Sequence, residues 1–594
     1  MNKIFLILIS AILLCSCESE TKTAETNNVN TAFDNLFKNY YEDGLKLNPV
    51  NATMAGDNRY NNLFPNSLSD AHKASLKDYY SNYLKKLSEF KDEDLNATQK
   101  MSKGVLKWDC EINLANLNFR KDLFPIDQMW TVNLSVGQLA SGSGAQPFKT
   151  VEDYNNWLER LDGYITWLGA AKTRMQEGIE KGYVLPKSLI KKIIPQLKSM
   201  TVEDLDKHLF YSPIKNFPDN FSDDDKNKLT AAYTKKLSEK LIPAYKDLHQ
   251  FMSTHYMTAG RTTSGISEIP NGADYYQHQI KTYTTTNMKA EEIHQLGLKE
   301  VARILSEMEK VKTQVGYKGD LKSFFNYVRN NKELMPFKTA QEVLDNFNKI
   351  HETMKPQIEK LFDIKPKTPF EVRRTEAFRE KSASAEYNPG SLDGTRPGIF
   401  YTPIPDATKY NVYSDEALFL HEAIPGHHYQ ISLTQESKDL NNFRKTLWNS
   451  AYGEGWALYT ESLGKELGLY TDPYQYFGML SMEMHRAIRL VVDTGIHAKG
   501  WSREKAIQYS LENEAEPEAS IISEIERYMA NPGQALSYKI GQIKIRELRS
   551  NAEKTLGDKF DIQQFHNEIL ETGCIPLALL ESKINTWVSS FKSD

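Results

Sequence analysis

The segment His421-Glu422-Ala423-Ile424-Pro425-Gly426-His427-His428 constrains this chain more than any other, because its ligand-like residues cannot meet on an ordinary helix. A His-Glu pair on a helix offers a metal ligand and, on the next face, a base; the usual second His stands four residues on, where one turn brings both rings to the same ion. Here the residue four beyond His421 is Pro425. At about 100° per residue His427 is carried far round the axis from His421, and His428 returns to the first face only about 10 Å further along. With metal–nitrogen bonds of about 2 Å, neither reaches a shared ion on a regular helix. The helix must therefore be distorted. Pro425 removes a backbone donor and Gly426 tolerates unusual dihedrals, so a widened turn of π type, with two residues looped out, would bring His427 to the second-ligand position. This favours His427 over His428.

Downstream, Gly453-Glu454-Gly455-Trp456-Ala457-Leu458-Tyr459 supplies a carboxylate on a second helical stretch. Two neutral imidazoles and one carboxylate, with one open position, are the donor set of a catalytic zinc ion. Glu461 lies seven residues after Glu454 on the same helix face and competes with it. One of the two would bind the ion and the other would orient a ligating His. Taken alone, Glu461 reads as a solvated or capping carboxylate.

These residues resemble the DUF885 family of bacterial proteins, whose pattern His-Glu-x-x-Pro-Gly-His-His-x-Gln is matched from His421 to Gln430. More distantly, they are similar to gluzincin peptidases, in which a Glu ligand follows on a second helix. Shorter matches extend the likeness over most of the chain, among them Ile269-Pro270-Asn271-Gly272, Arg396-Pro397-Gly398, Pro532-Gly533-Gln534 and Gly573-Cys574-Ile575-Pro576. The resemblance implies a mainly helical metallopeptidase-like fold with a deep cleft, and short peptides rather than folded proteins as substrates. Aligning the gluzincin Gly-His with Gly426-His427 favours His427 again.

At 594 residues the chain can bury a large core, and no linker divides it. Lys and Arg total 73 against 78 acidic residues, a formal charge of −5, which gives no sign of nucleic-acid binding. Residues 1–16 read as a lipoprotein signal peptide: a short basic start, an apolar run too short to span a bilayer, and Leu14-Cys15-Ser16-Cys17 with Cys17 as the acylated residue. Residues 17–32 then form a polar tether, which makes this a cell-envelope lipoprotein held on the membrane by lipid alone. Cys110 and Cys574 read as unpaired buried thiols.

Apolar residues at three-four spacing predict helices over 32–45, 71–90, 151–178, 226–253, 290–315, 340–362, 474–495 and 502–511. Strand composition at 371–374 and 398–402 predicts a small sheet just before the metal helix, with an edge an extended peptide could join. The fold is thus expected to be mainly α, with residues 33–594 as one large catalytic unit, leaving room for two lobes around a cleft.

Peptide hydrolysis also needs a donor aimed at the developing oxyanion; Tyr538 is the first candidate and His497 the second. Arg396, Arg489 and Arg527 could grip a substrate carboxylate, and Tyr401 could line the substrate strand, although each has an ordinary role as a surface ion pair or core residue. The expected chemistry is zinc-assisted hydrolysis of short peptides, with the ion on His421, His427 and Glu454, Glu422 as general base, and His428, Gln430 or Glu461 tuning the ligands by hydrogen bonds. Exopeptidase and oligopeptidase action both remain open. The competing readings are metal or peptide capture without turnover, and a zinc amidase or esterase. The oligomeric state is not readable.

Overall fold

The computed structural model describes residues 30–591 apart from 143, 377–379, 381–382 and 393–395. The expected leader, the acylation expected at Cys17 and most of the expected tether fall on residues outside those described. No described helix is long and apolar enough to cross a membrane.

Helices form where the sequence supplies both an apolar stripe and its punctuation. The long Val151–Lys181 helix starts at a reciprocal Thr150–Asp153 capping box and stops at Gly182, whose φ of 79° is one that a side chain disfavours. Ala290–Gln314, Ala340–Leu361, Pro473–Ala498 and Arg503–Asn513 follow the expected ranges to within a few residues. The stretch expected as one helix over 226–253 alternates instead between α and π segments, with π turns at Leu237–Leu241 and Met252–Tyr256.

Buried apolar residues fall into two clusters. One, built around Trp157, Trp167, Tyr233 and Tyr245, belongs to residues 68–256. The other joins the N-terminal helical region to residues 266–588 and includes Phe400, Phe419, Trp456 and Leu490. Gln128 donates to the backbone oxygen of Glu526 (2.9 Å), tying the first region to the second.

One sheet occurs among the described residues, of order β1-β3-β2. Strands β1 (Phe370–Arg374) and β3 (Gly398–Thr402) pair in parallel, and β2 (Glu386–Asn388) pairs antiparallel with β3. Phe400 packs edge-on against Phe347 in the core (5.0 Å between ring centres), while Phe370 reaches the ring of His428 (4.9 Å). The sheet therefore lies beside the motif, and the molecule is a mainly α fold as expected.

Candidate metal centre

The motif does not form one bulged helix. Asp415–Glu422 ends at Glu422, and a new helix, His427–Glu436, begins at the second imidazole. The four residues between them include a cis Ile424-Pro425 bond. The chain breaks because Pro425 cannot donate and Gly426 sits against the end of the preceding helix: a Cβ there would stand 1.9 Å from the His421 carbonyl oxygen and 2.2 Å from that of Leu420. Two helices meeting at a break deliver His427 where a widened single helix was expected to.

The helix Ser450–Glu461 serves this break along its length. Trp456 Nε1 donates to the Pro425 oxygen (2.9 Å) and Thr460 Oγ1 to the Leu420 oxygen (2.8 Å), satisfying carbonyls that the interrupted helix leaves open. The same helix aims Glu454 between the two rings. Its Oε2 lies 3.6 Å from His421 Nε2 and 3.5 Å from His427 Nε2, and one donor atom from each of His421, His427 and Glu454 lies within 4.8 Å of the others. Ligands about 2 Å from a tetrahedral ion stand roughly 3.3 Å apart, so the three fit a zinc site with modest closing.

Glu461 takes the other role left open for it. Only 1 % exposed, it accepts the Nδ1 proton of His421 (2.7 Å), which leaves the Nε2 lone pair for a metal. It is not the solvated carboxylate its position alone suggests. Burial opposes charge on His421, but Glu454 and Glu461 outweigh burial and push it up to about 9. Burial by itself would raise Glu454; the two imidazoles hold it below the usual carboxylate range. A cation would take the place of those protons. Glu422, next to His421 and buried, is raised by burial, with the charges of His421 and His427 acting against the shift.

His428 and Gln430 do not join the centre. His428 Nδ1 meets the Tyr387 hydroxyl on β2 (3.0 Å), and burial lowers it to about 4; it is a neutral link to the sheet. Gln430 donates to Thr434 (3.0 Å) and packs on Cys574. Both are turned away because successive residues of the second helix face different neighbours.

Tyr538 lies within reach of the charge of Glu454. Its hydroxyl is raised by burial and by the charge of Glu454, which outweigh the opposing charge of the Arg489 guanidinium stacked on its ring (4.5 Å), so it stays protonated and able to donate. His497 cannot serve as that donor, because Nδ1 accepts from the Ile266 amide (2.9 Å), Nε2 donates to the Tyr528 oxygen (2.9 Å), and burial lowers it to about 3. Arg489 pairs with Glu524 (3.1 Å) and Tyr528 (3.1 Å), and Arg527 spends its fork on Glu524 (2.9 and 2.8 Å) and Gln534 (2.6 Å). Arg396 is exposed and bonds the Pro389 oxygen (3.2 Å), and Tyr401 is bonded to Arg373. Arg489 keeps one buried Nη1 without a hydrogen-bond partner, whereas Arg527, Arg396 and Tyr401 are held by these neighbours. Cys110 and Cys574 are both buried and unpaired, as expected.

Sequence reasoning missed Trp448. It is 46 % exposed, yet its ring lies 5.8 Å from that of His427, held over Gly453, where a Cβ would stand 2.2 Å from the indole. Its position just before the Glu454 helix was the available signal.

Fold and site together define a large, mainly helical protein with a His-His-Glu donor cluster and an adjoining buried carboxylate. The chain belongs to the family described as bacterial protein of unknown function (DUF885), whose model matches residues 49–584. It is similar to the crystal structure of a protein from Colwellia psychrerythraea provisionally named a lipoprotein, at 28 % identity and a TM-score of 0.85, over 94 % of this chain and 99 % of that one. A second, from Shewanella oneidensis, carries the same provisional name with unknown function; it shares the fold at 19 % identity and a TM-score of 0.72, over 93 % and 99 % of the two chains. Comparison with curated proteins finds no match.

Proposed function

We propose that this protein is a zinc-dependent hydrolase of peptide bonds in short peptides. The observation that carries the reading is the convergence of His421, His427 and Glu454 within 4.8 Å beside the buried Glu422. Metal capture alone has no use for that base.

A bound zinc ion would supply Lewis acidity, activating a water and polarising the scissile carbonyl. Glu422 takes the proton of the attacking water and passes it to the leaving amine; burial raises its proton affinity toward the range a general base needs. Tyr538, kept neutral, donates to the oxygen on which charge develops. Glu461 fixes the His421 ring through Nδ1, so that Nε2 would be free to hold the ion. Trp448 offers a half-exposed aromatic wall for a substrate side chain next to His427.

The lipobox in the sequence, and the lipoprotein names of the two similar structures, support a lipid-anchored protein of the cell envelope.

The deciding experiment digests a mixture of short synthetic peptides with zinc-loaded protein, with and without chelator, and reads the products by mass spectrometry. Glu422→Gln should keep its zinc and lose turnover by about 100-fold or more. Normal turnover in that variant would falsify the assignment of the base, and the absence of any chelator-sensitive product would remove the peptidase reading.

A further inference from the structure

We propose that a groove beside the start of the N-terminal helix binds an anionic phospholipid of the membrane that carries the protein, with the phosphate on exposed lysines and an acyl chain along an apolar wall. The inference is independent of the hydrolase reading and concerns a surface apart from the metal centre.

The groove has a volume of about 1090 Å³ and is lined from the first turn of Ala97–Asn116, the segment after Ala340–Leu361, the end of His427–Glu436 and the last helix, Leu577–Ser590. Met101, Leu433, Leu579 and Trp587 give it an apolar wall. Its charge runs against that of the chain. Acidic residues outnumber Lys and Arg by 78 to 73 overall, whereas six basic and four acidic side chains line the groove. Two of those acids are already spent. Glu436 accepts from the Lys367 amide (2.8 Å) and from the amide and hydroxyl of Thr368 (2.7 Å each), and Glu568 pairs with Lys583 (2.9 Å). Lys100, Lys367 and Lys438 are exposed, and none makes an ion pair with a described residue. Arg444, which also lines the groove, is fully buried without a carboxylate partner: it holds Ser102 (3.0 Å) and the Thr572 oxygen, and its Nε has no hydrogen-bond partner. A sheltered cation in that state is costly, and a negative ligand relieves the cost. Four such cations stand against only Asp439 and Glu571, so the groove is the complement of an anion with an apolar tail.

Placement says which amphiphile that is. The helix over 30–47 starts at Asn30, whose Oδ1 accepts from Gln99 (3.0 Å), and Gln99 stands between Thr98 and Lys100, both of which line the groove. The expected tether therefore joins the described protein at the edge of the groove. Counted from the acylation expected at Cys17 it has 13 residues, which extend to about 45 Å at most. An acylated chain thus keeps the groove close to a bilayer, where phospholipid is the amphiphilic anion in greatest local supply. Unpaired lysines suit its phosphate, and the half-buried indole of Trp587 suits the level at which headgroup meets acyl chain. The metal centre is elsewhere: Glu436 stands nine residues beyond His427, about 14 Å along the helix axis.

The test uses the full mature chain with Cys17→Ser, which removes the acyl anchor, and vesicles of phosphatidylcholine alone or mixed with phosphatidylglycerol, read by co-sedimentation. Binding should be about 100-fold tighter to the mixed vesicles. Adding Lys100→Gln/Lys367→Gln/Lys438→Gln should lose about five-fold per lysine and so most of that preference. The same change of charge at exposed lysines of the other region, Lys228→Gln/Lys235→Gln/Lys240→Gln, should leave binding unchanged. In titration calorimetry a short-chain phosphatidylglycerol, kept below its micelle concentration, should bind the Cys17→Ser chain and shift its indole emission, and the shift should be lost in Trp587→Phe. Equal binding to the two kinds of vesicle overturns the proposal, as does equal weakening by the two lysine triplets. Vesicle binding without uptake of the soluble lipid overturns the groove as a lipid pocket and leaves a flat electrostatic contact. Tighter binding of a soluble fatty acid than of the short-chain phospholipid overturns the phosphate assignment.

Discussion

His421 is held from behind. Glu461 accepts its Nδ1 proton, Glu454 faces its Nε2, and all three side chains are largely shielded from water. Removing Glu461 frees the ring to turn and lowers its basicity, so Glu461→Ala should weaken zinc binding by about 10- to 100-fold, read by competition with a chromophoric chelator, while the helical circular dichroism stays unchanged. At this scale the sequence is legible wherever the chemistry is local. His421, Glu422 and His427 stand within one short segment, and Glu454 and Glu461 share one face of one helix. It is opaque where availability depends on distant partners. His497 has the right residue type, but Ile266 and Tyr528 take both of its nitrogens, and nothing near position 497 announces them.

Elements position these residues through close approaches. The Ser450–Glu461 helix, which carries Glu454, meets Ser537–Leu556, which carries Tyr538, at Gly455 and Gly541. A Cβ on Gly541 would stand 1.9 Å from the Ala451 oxygen, and one on Gly455 would stand 2.5 Å from the Gly541 Cα. Gly541→Ala should therefore separate the two helices, costing about 1–3 kcal/mol. Because Tyr538 would move away from Glu454, kcat should fall more than zinc occupancy; unchanged kcat with lowered stability would show that Tyr538 does not act at the reacting oxygen. Strands β1 and β3 are readable from their aromatic and branched residues. The three residues of β2 are not: they have no strand pattern of their own and are ordered by pairing with β3, which is how Tyr387 comes to meet His428. The motif break was half legible, since Pro425 and Gly426 announce a distortion but not that two separate helices result.

In the molecule as a whole, the buried carboxylates Asp415 and Asp493 make no ion pair with a described residue. Asp415 is raised from 3.8 to about 8 by burial, which outweighs hydrogen bonds from Tyr410 and Asn346; Asp493 is raised to about 7 by burial, against bonds from Tyr276 and the Gly533 amide. Since the folded pKa exceeds the unfolded one, the native state binds more protons across the interval. Their contribution is therefore complete below about pH 4 and is lost as pH rises through the folded values. Each group lowers unfolding free energy with a slope of up to about 1.4 kcal/mol per pH unit. Urea midpoints should show Asp415→Asn losing less stability than the unmutated protein between about pH 4 and pH 8, and parallel curves would contradict the shift. The division of buried apolar residues into two clusters was not readable, because helix periodicity reports that a face is buried but not against which partner. The interruption after Glu422 also reaches beyond the reaction. Its two ring nitrogens ride on independent rods, so a captured cation works as a rivet across a joint: part of its affinity goes into keeping the joint shut, and by reciprocity anything that pries the rods apart makes the cation easier to lose.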